Sequence, residues 1–140
     1  MKARRKRTIG VVEIVSLPEW HLHGIVARID TGALTSSIDV PYSLLPAATA
    51  RGRSLVRITL GEDAAARSID LPVVRFRRVR NPSGAVTQRP MVQALVVLGG
   101  KRFRTTLNLH CRRGMVYRLI IGRRALAGRF VVDVERGAER

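Results

Sequence analysis

The feature that most restricts this chain is its punctuation. Short apolar stretches rich in Val, Ile and Leu alternate in period two, and Gly, Pro or Asn interrupts them roughly every ten residues. Gly24 to Asp30 places Ile25, Ala27 and Ile29 on one face of a strand, and Leu55 to Leu60 alternates in the same way. Ile9 to Ser16, Ser36 to Val40, Ser68 to Arg80, Met91 to Leu98, Phe103 to Leu109, Tyr117 to Ile121 and Phe130 to Val134 also read as strands. Asn81-Pro82-Ser83-Gly84 predicts a hairpin tip and Gly99-Gly100 a tight hairpin turn. Gly122 to Gly128 suits one short helix closed by glycine, whereas Pro41 to Gly52 lacks a regular pattern. Many short strands with one short C-terminal helix predict an all-β closed barrel or sandwich. The aromatic share is only 4%, so aliphatic side chains must fill the core.

The 140 residues suit one domain, expected over residues 8–135. A basic N-terminal tail over 1–7 and a C-terminal tail over 136–140 are expected to fray. Lys and Arg number 26 against 10 Asp and Glu, a formal charge of +16. Such a surface attracts polyanions, although an Arg-rich composition alone could produce it. One cysteine, Cys111, allows no intramolecular disulfide, and a cytoplasmic location is expected. The apolar stretch after the basic Lys2–Arg7 cluster is short and contains Glu13, which argues against a signal peptide. No run reaches the ~20 apolar residues of a bilayer span, so no membrane association is expected.

Chemistry concentrates at Asp30-Thr31-Gly32-Ala33, where an apolar strand runs into a turn followed by Thr35, Ser36 and Ser37. The tripeptide is good turn chemistry by itself. A second element, Leu119-Ile120-Ile121-Gly122-Arg123-Arg124-Ala125-Leu126, supplies an apolar strand, a glycine and a short helix. Together the two elements resemble those of a retropepsin subunit, which implies that one strand ends in a catalytic Asp-Thr-Gly loop and the other packs beside it. Aspartate-catalysed peptide hydrolysis uses two carboxylates that share a proton, because like charges about 3 Å apart cannot both ionise. Gly32 would let backbone approach closely, and Thr31 could hydrogen-bond across to hold the loop. The chain has one such loop, so either two copies form a homodimer with Asp30 of each at a two-fold axis, or the chain is not a working aspartic peptidase.

From Gly10 to Val134 the chain resembles a bacterial family labelled ATP-dependent zinc protease-like and grouped with the retropepsin-like peptidases. The resemblance rests on Val12-Glu13, Leu17-Pro18-Glu19, Arg28-Ile29-Asp30-Thr31-Gly32-Ala33, Thr35-Ser36-Ser37, Gln88-Arg89-Pro90-Met91-Val92, Leu98-Gly99-Gly100, Met115-Val116-Tyr117, Ile121-Gly122-Arg123-Arg124-Ala125-Leu126, Gly128-Arg129-Phe130 and Val132-Asp133. It implies a retropepsin-like fold, a dimeric site, Asp30 as the catalytic acid, and a hairpin over Val79 to Val92 acting as a flap. It also implies a link to an ATP-grasp glutamate ligase and an acidic, glutamate-rich peptide tail as substrate. Arg28, Arg89 and Arg123, with Ala33, lie in the matching blocks as candidates for binding that substrate; each Arg could equally make a structural ion pair. Two positions depart from the family: Leu34 stands where a basic residue is usual, and Asp39 where His is common.

No cofactor or metal is expected. There is no His-Glu-x-x-His, Cys-x-x-Cys or phosphate-binding glycine loop. His21 and His23 would share a face if both lay on a strand. The alternative to a peptidase is a non-catalytic basic β-barrel binding RNA or an acidic protein. Arg75 to Arg80 offers charge around one aromatic, Phe76, but the chain's scattered aromatics weigh against base stacking, so nucleic acid is not the expected partner.

Overall fold

The computed structural model describes residues 5–50, 52–61, 63–80, 82–111 and 116–137. Among the described residues twelve strands and one short α-helix follow in order, with 3-10 turns at Pro18–Trp20 and Asp63–Ala65: β1 (Arg7–Ile9), β2 (Val12–Leu17), β3 (Leu22–Ile29), β4 (Ser36–Asp39), β5 (Tyr42–Ala50), β6 (Arg53–Leu60), β7 (Arg67–Pro72), β8 (Arg75–Arg80), β9 (Val86–Leu98), β10 (Lys101–His110), β11 (Leu119–Ile121), α1 (Arg123–Leu126) and β12 (Phe130–Val132). Hydrogen bonding runs β10-β4-β11-β3-β2-β9, and β9 pairs again with β10, so six strands close into a barrel. Closure removes the exposed sheet edges that invite aggregation. The all-β retropepsin-like barrel expected from the sequence is what the chain forms.

Alternation fills the barrel. On β3, Ile25, Ala27 and Ile29 are buried and Val26 and Arg28 are exposed. Leu17, Ala27, Val92, Val96, Leu107, Leu109, Leu119 and Ile121 pack into one aliphatic core that also takes in the single tryptophan, Trp20. β5, β6 and β7 form a separate antiparallel sheet, whose Val56, Ile58 and Leu60 join the same core.

The strand β9 has two roles. Its second half pairs with β10 in the barrel, while Val86 to Met91 pairs with β8 in a projecting hairpin. Burial follows this division: Val86, Thr87 and Gln88 are exposed, and Pro90, Met91 and Val92 are buried.

Several sequence expectations need correction. Pro41 to Gly52 contains strand β5 despite Pro46, because β5 pairs on one side only and its register slips between Leu45 and Thr49. An edge strand with a bulge tolerates a residue that cannot donate to the ladder. The run from Ser68 to Arg80 is two strands of different sheets: Val73 N–H bonds to the Ser54 carbonyl and Val74 N–H to that of Met91. The run from Ile9 to Ser16 is likewise two strands, divided at Gly10, where a Cβ would collide with the Arg136 carbonyl. Arg7 and Arg136, expected in frayed tails, are tied down. Arg7 N–H donates to the Arg129 carbonyl at 3.0 Å, and Val11 N–H donates to the Arg136 carbonyl at 2.7 Å.

Candidate active site

Strand β3 delivers Asp30 to the end of the barrel. Ile29 N–H donates to the Val11 carbonyl at 2.9 Å, and Asp30 N–H donates to the Ile121 carbonyl at 2.8 Å. The chain then turns: Ala33 N–H donates to the Asp30 carbonyl at 3.2 Å, and Gly32 N–H donates to Asp30 Oδ1 at 2.9 Å. The carboxylate is half-buried beside an exposed Thr31 and Gly32. A Cβ on Gly32 would lie 3.2 Å from Asp30 Oδ1, so glycine suits this position through close approach.

The β11–α1 element braces the loop. Arg123 N–H donates to the Ala33 carbonyl at 2.7 Å, and Arg124 N–H to that of Leu34 at 3.1 Å. Gly122 N–H donates to Ser36 Oγ at 3.0 Å, and a Cβ on Gly122 would sit 2.5 Å from the Thr35 carbonyl oxygen. Only glycine fits against that backbone. The Arg123 side chain reaches back to the Thr31 carbonyl at 3.1 Å. Ser36 anchors the departing chain in β4, itself paired to β11. The two elements singled out in the sequence are thus hydrogen-bonded to each other, across about ninety residues.

The candidate residues fall into two groups. Asp30, Thr31, Gly32, Ala33 and Arg123 come together in one loop assembly. Arg28 lies on the exposed face of β3, opposite Val12 and Ile120. Arg89 lies on β9, with Nη1 3.2 Å from His110 Nε2. Thr31 accepts the Arg123 side chain through its carbonyl.

Two further residues complete the surroundings, Asn108, which the sequence did not single out, and Arg77, which lies in the basic Arg75 to Arg80 stretch. Buried Asn108 donates through Nδ2 to Thr35 Oγ1 at 2.8 Å and to the Ser36 carbonyl at 3.1 Å. Arg77, on β8, donates to the same Thr35 hydroxyl at 2.9 Å, which ties the projecting hairpin to the loop. A cavity of about 360 Å³ lies between them, lined by Leu34, Thr35, Arg75, Phe76, Arg77, Arg78, Met91 and Arg124. The Arg75-x-Arg77 alternation was the signal for this face, but its partner α1 is distant in sequence. Nearby, Arg104 is engaged by Glu19 through two hydrogen bonds of 3.0 and 2.8 Å. The Arg104 hydrogen bond holds the Glu19 carboxyl below its usual range.

His21 caps a short helical turn in the left-handed region at φ 54°, and His23 sits in β3, so the two do not share a strand face. Among the described residues no group of three or more His, Cys, Asp or Glu could hold a metal ion.

Comparison with known proteins agrees with this geometry. Over 134 residues the chain is 34% identical to a probable alpha-L-glutamate ligase of Parasynechococcus marenigrum, covering 94% of this chain and 28% of that protein. A protein of the same description from Shewanella halifaxensis is 30% identical over 132 residues, with 91% and 28% covered. The chain thus spans under a third of the length of these relatives. The crystal structure of a protein of unknown function from Legionella pneumophila superposes with a TM-score of 0.74 at 26% identity, covering 94% of this chain and 95% of that one. The model of the RimB-like family, described as retropepsin-like aspartic endopeptidase RimB, matches residues 8–139. That description carries a retropepsin name in place of the zinc-protease label suggested by the sequence blocks. Since the match runs through both halves of the loop assembly, the chain belongs to the RimB-like family of retropepsin-like aspartic endopeptidases.

Proposed function

We propose that two copies of this chain form a symmetric aspartic endopeptidase that cleaves acidic, glutamate-rich peptide tails. The observation that carries this reading is the Asp30 loop: a half-buried carboxylate at a barrel end, with Oδ1 fixed by Gly32 N–H and the loop clamped by Gly122–Arg124. Pairing two such loops about a two-fold axis makes a dyad that titrates as a unit. Water between the carboxylates gives a proton to the ionised one as its oxygen bonds to the peptide carbon. The protonated carboxyl gives its proton to the carbonyl oxygen. Collapse then re-forms the carbonyl, breaks the C–N bond and delivers a proton to the leaving nitrogen.

The relatives described as probable alpha-L-glutamate ligases support the substrate class, because a segment like this chain forms 28% of their length. A functional link to such a ligase, adding the residues that this domain removes, follows naturally. Arg123 is the foremost candidate for a substrate carboxylate, since it already borders Thr31. Arg28 and Arg89 serve the same class of contact from farther along β3 and β9. The β8–β9 hairpin acts as the flap. A cytoplasmic setting suits the exposed thiol of Cys111.

The test is cleavage of a peptide panel including poly-glutamate tails, across pH about 4 to 8, by wild type and Asp30→Asn. The expected result is cleavage of acidic peptides by a dimer, abolished in the variant and suppressed when variant is mixed in excess with wild type. A folded dimeric wild type that cleaves nothing would leave the non-catalytic basic barrel as the better reading.

A further inference from the structure

Away from the Asp30 loop, the barrel carries a larger cavity of about 600 Å³, lined by Arg5, Lys6, Arg7, Lys101, Arg102, Phe103 and Arg129. Six of these seven residues are cations, whereas Lys and Arg make up 26 of the 140 residues of the chain. An Arg-rich composition alone does not concentrate charge to that degree. Among the described residues no carboxylate lines the cavity, and the ion pairs, Arg57–Asp70 and Arg104–Glu19, lie elsewhere.

Half of the cluster is held in place. Arg7 Nη1 donates to the Gly99 carbonyl at 3.2 Å, and Lys101 Nζ donates to the Arg5 carbonyl at 3.0 Å. The Arg129 guanidinium stacks 4.4 Å from the Phe103 ring centroid and donates to the Ala125 carbonyl. The other cations, Arg5, Lys6 and Arg102, are exposed at the rim. Like charges gathered without a counter-charge repel one another, and backbone pairing of β1, β10 and β12 does not require them. An anion bound there would offset that repulsion.

We propose that this cavity is a second binding site that holds an acidic polypeptide, the tail of the substrate, while the Asp30 loop acts on it. The proposal rests on the reading of that substrate as a glutamate-rich tail. Lys6 also lines a neighbouring cavity of about 380 Å³ that reaches Thr31 and Arg123, so a mostly apolar groove with a cation at either end joins the site to the Asp30 loop. Carboxylates are favoured over nucleic acid. Phe103 is the aromatic in the cavity, it is buried, and Arg129 covers its face, which leaves no ring on which a base could stack. Guanidinium forks match carboxylates in a two-bonded geometry that this chain already uses at Arg57–Asp70.

The experiment uses the Asp30→Asn full chain, so that binding is read without cleavage, and fluorescein-labelled poly-L-glutamate at low and high salt. The double variant Arg5→Glu/Arg102→Glu in that background is expected to weaken binding about tenfold or more. The charge-matched control Arg53→Glu/Arg67→Glu, on the separate β5–β6–β7 sheet, is expected to change it less than twofold, with thermal melts confirming that both fold. Equal loss in the two double variants would reduce the effect to net charge and overturn the site. Displacement of poly-glutamate by single-stranded RNA of equal charge at lower concentration would overturn the acidic-peptide assignment. Because no cleavage is measured, failure here stays distinct from an inactive Asp30.

Discussion

The Asp30 loop assembly and the β8–β9 hairpin face each other across one cavity, yet they are built differently. The loop is clamped by backbone: Asp30 to Ile121, Arg123 to Ala33 and Arg124 to Leu34 are main-chain hydrogen bonds around a glycine with no room for a Cβ. Behind it, Ile121 and Leu119 are completely buried. The hairpin is held by its own ladder and by side-chain bonds such as Arg77 to Thr35 and Arg89 to His110, and Phe76 is 36% exposed. On the proposed function, the contrast separates a part that would keep a carboxylate in fixed register from a part that would let substrate in. Elements that move are drawn from the low-stability end of a structure.

The comparison can be broken most directly by removing core behind the loop. Ile121→Ala is expected to cost about 2–5 kcal/mol, whereas Phe76→Ala on the hairpin should cost under about 1 kcal/mol; urea denaturation of both variants measures the gap, and equal losses would contradict it. Gly122→Ala comes next. Its methyl meets the Thr35 and Ala33 carbonyls, so a loss of about 1–3 kcal/mol is expected, together with loss of any Asp30-dependent activity.

A finer test compares the two donors on Thr35. Asn108→Ala strips a buried pair of hydrogen bonds and should destabilise by about 1–3 kcal/mol. Arg77→Ala removes an exposed one, costs under about 1 kcal/mol, and should speed hydrogen exchange in the hairpin amides. A larger loss from Arg77→Ala would mean that the hairpin braces the loop and not the reverse.

The smallest effect is electrostatic. The Glu19 and Asp70 carboxyls are held below their usual range by hydrogen bonds from Arg104 and Arg57. A depressed folded pKa adds stability above the unfolded value, about 4 for such groups, and loses it as pH falls through the folded value. Both pairs are exposed, so the melting temperature should decline only slightly between neutral pH and pH about 3 on their account. Glu19→Gln should flatten that part of the profile; an unchanged profile would show that the Arg104 pair contributes nothing.

Local signals were legible where one residue type meets a strict local demand. Gly99-Gly100 closes the β9–β10 hairpin with both glycines at positive φ, and Asp30-Thr31-Gly32 turns the chain within hydrogen-bond reach of itself. Strand β5 was missed because a bulge at Pro46 hides its period, and the break at Val73–Val74 because both flanking strands alternate alike. Asn108 gave no signal, since its value lies in burial beside Thr35 and Ser36.

What the residues determined by themselves is therefore which segments are extended, which face of each is apolar, and where the chain must turn. What only the tertiary structure decided is partnership: β3 lying parallel to β11, Arg77 reaching Thr35, and Arg5 to Arg7 meeting Lys101 and Arg129 across one cavity. The reason is physical. Alternation tells a strand which face to bury but not against which neighbour, and that choice is settled by closing the barrel strands around one shared core.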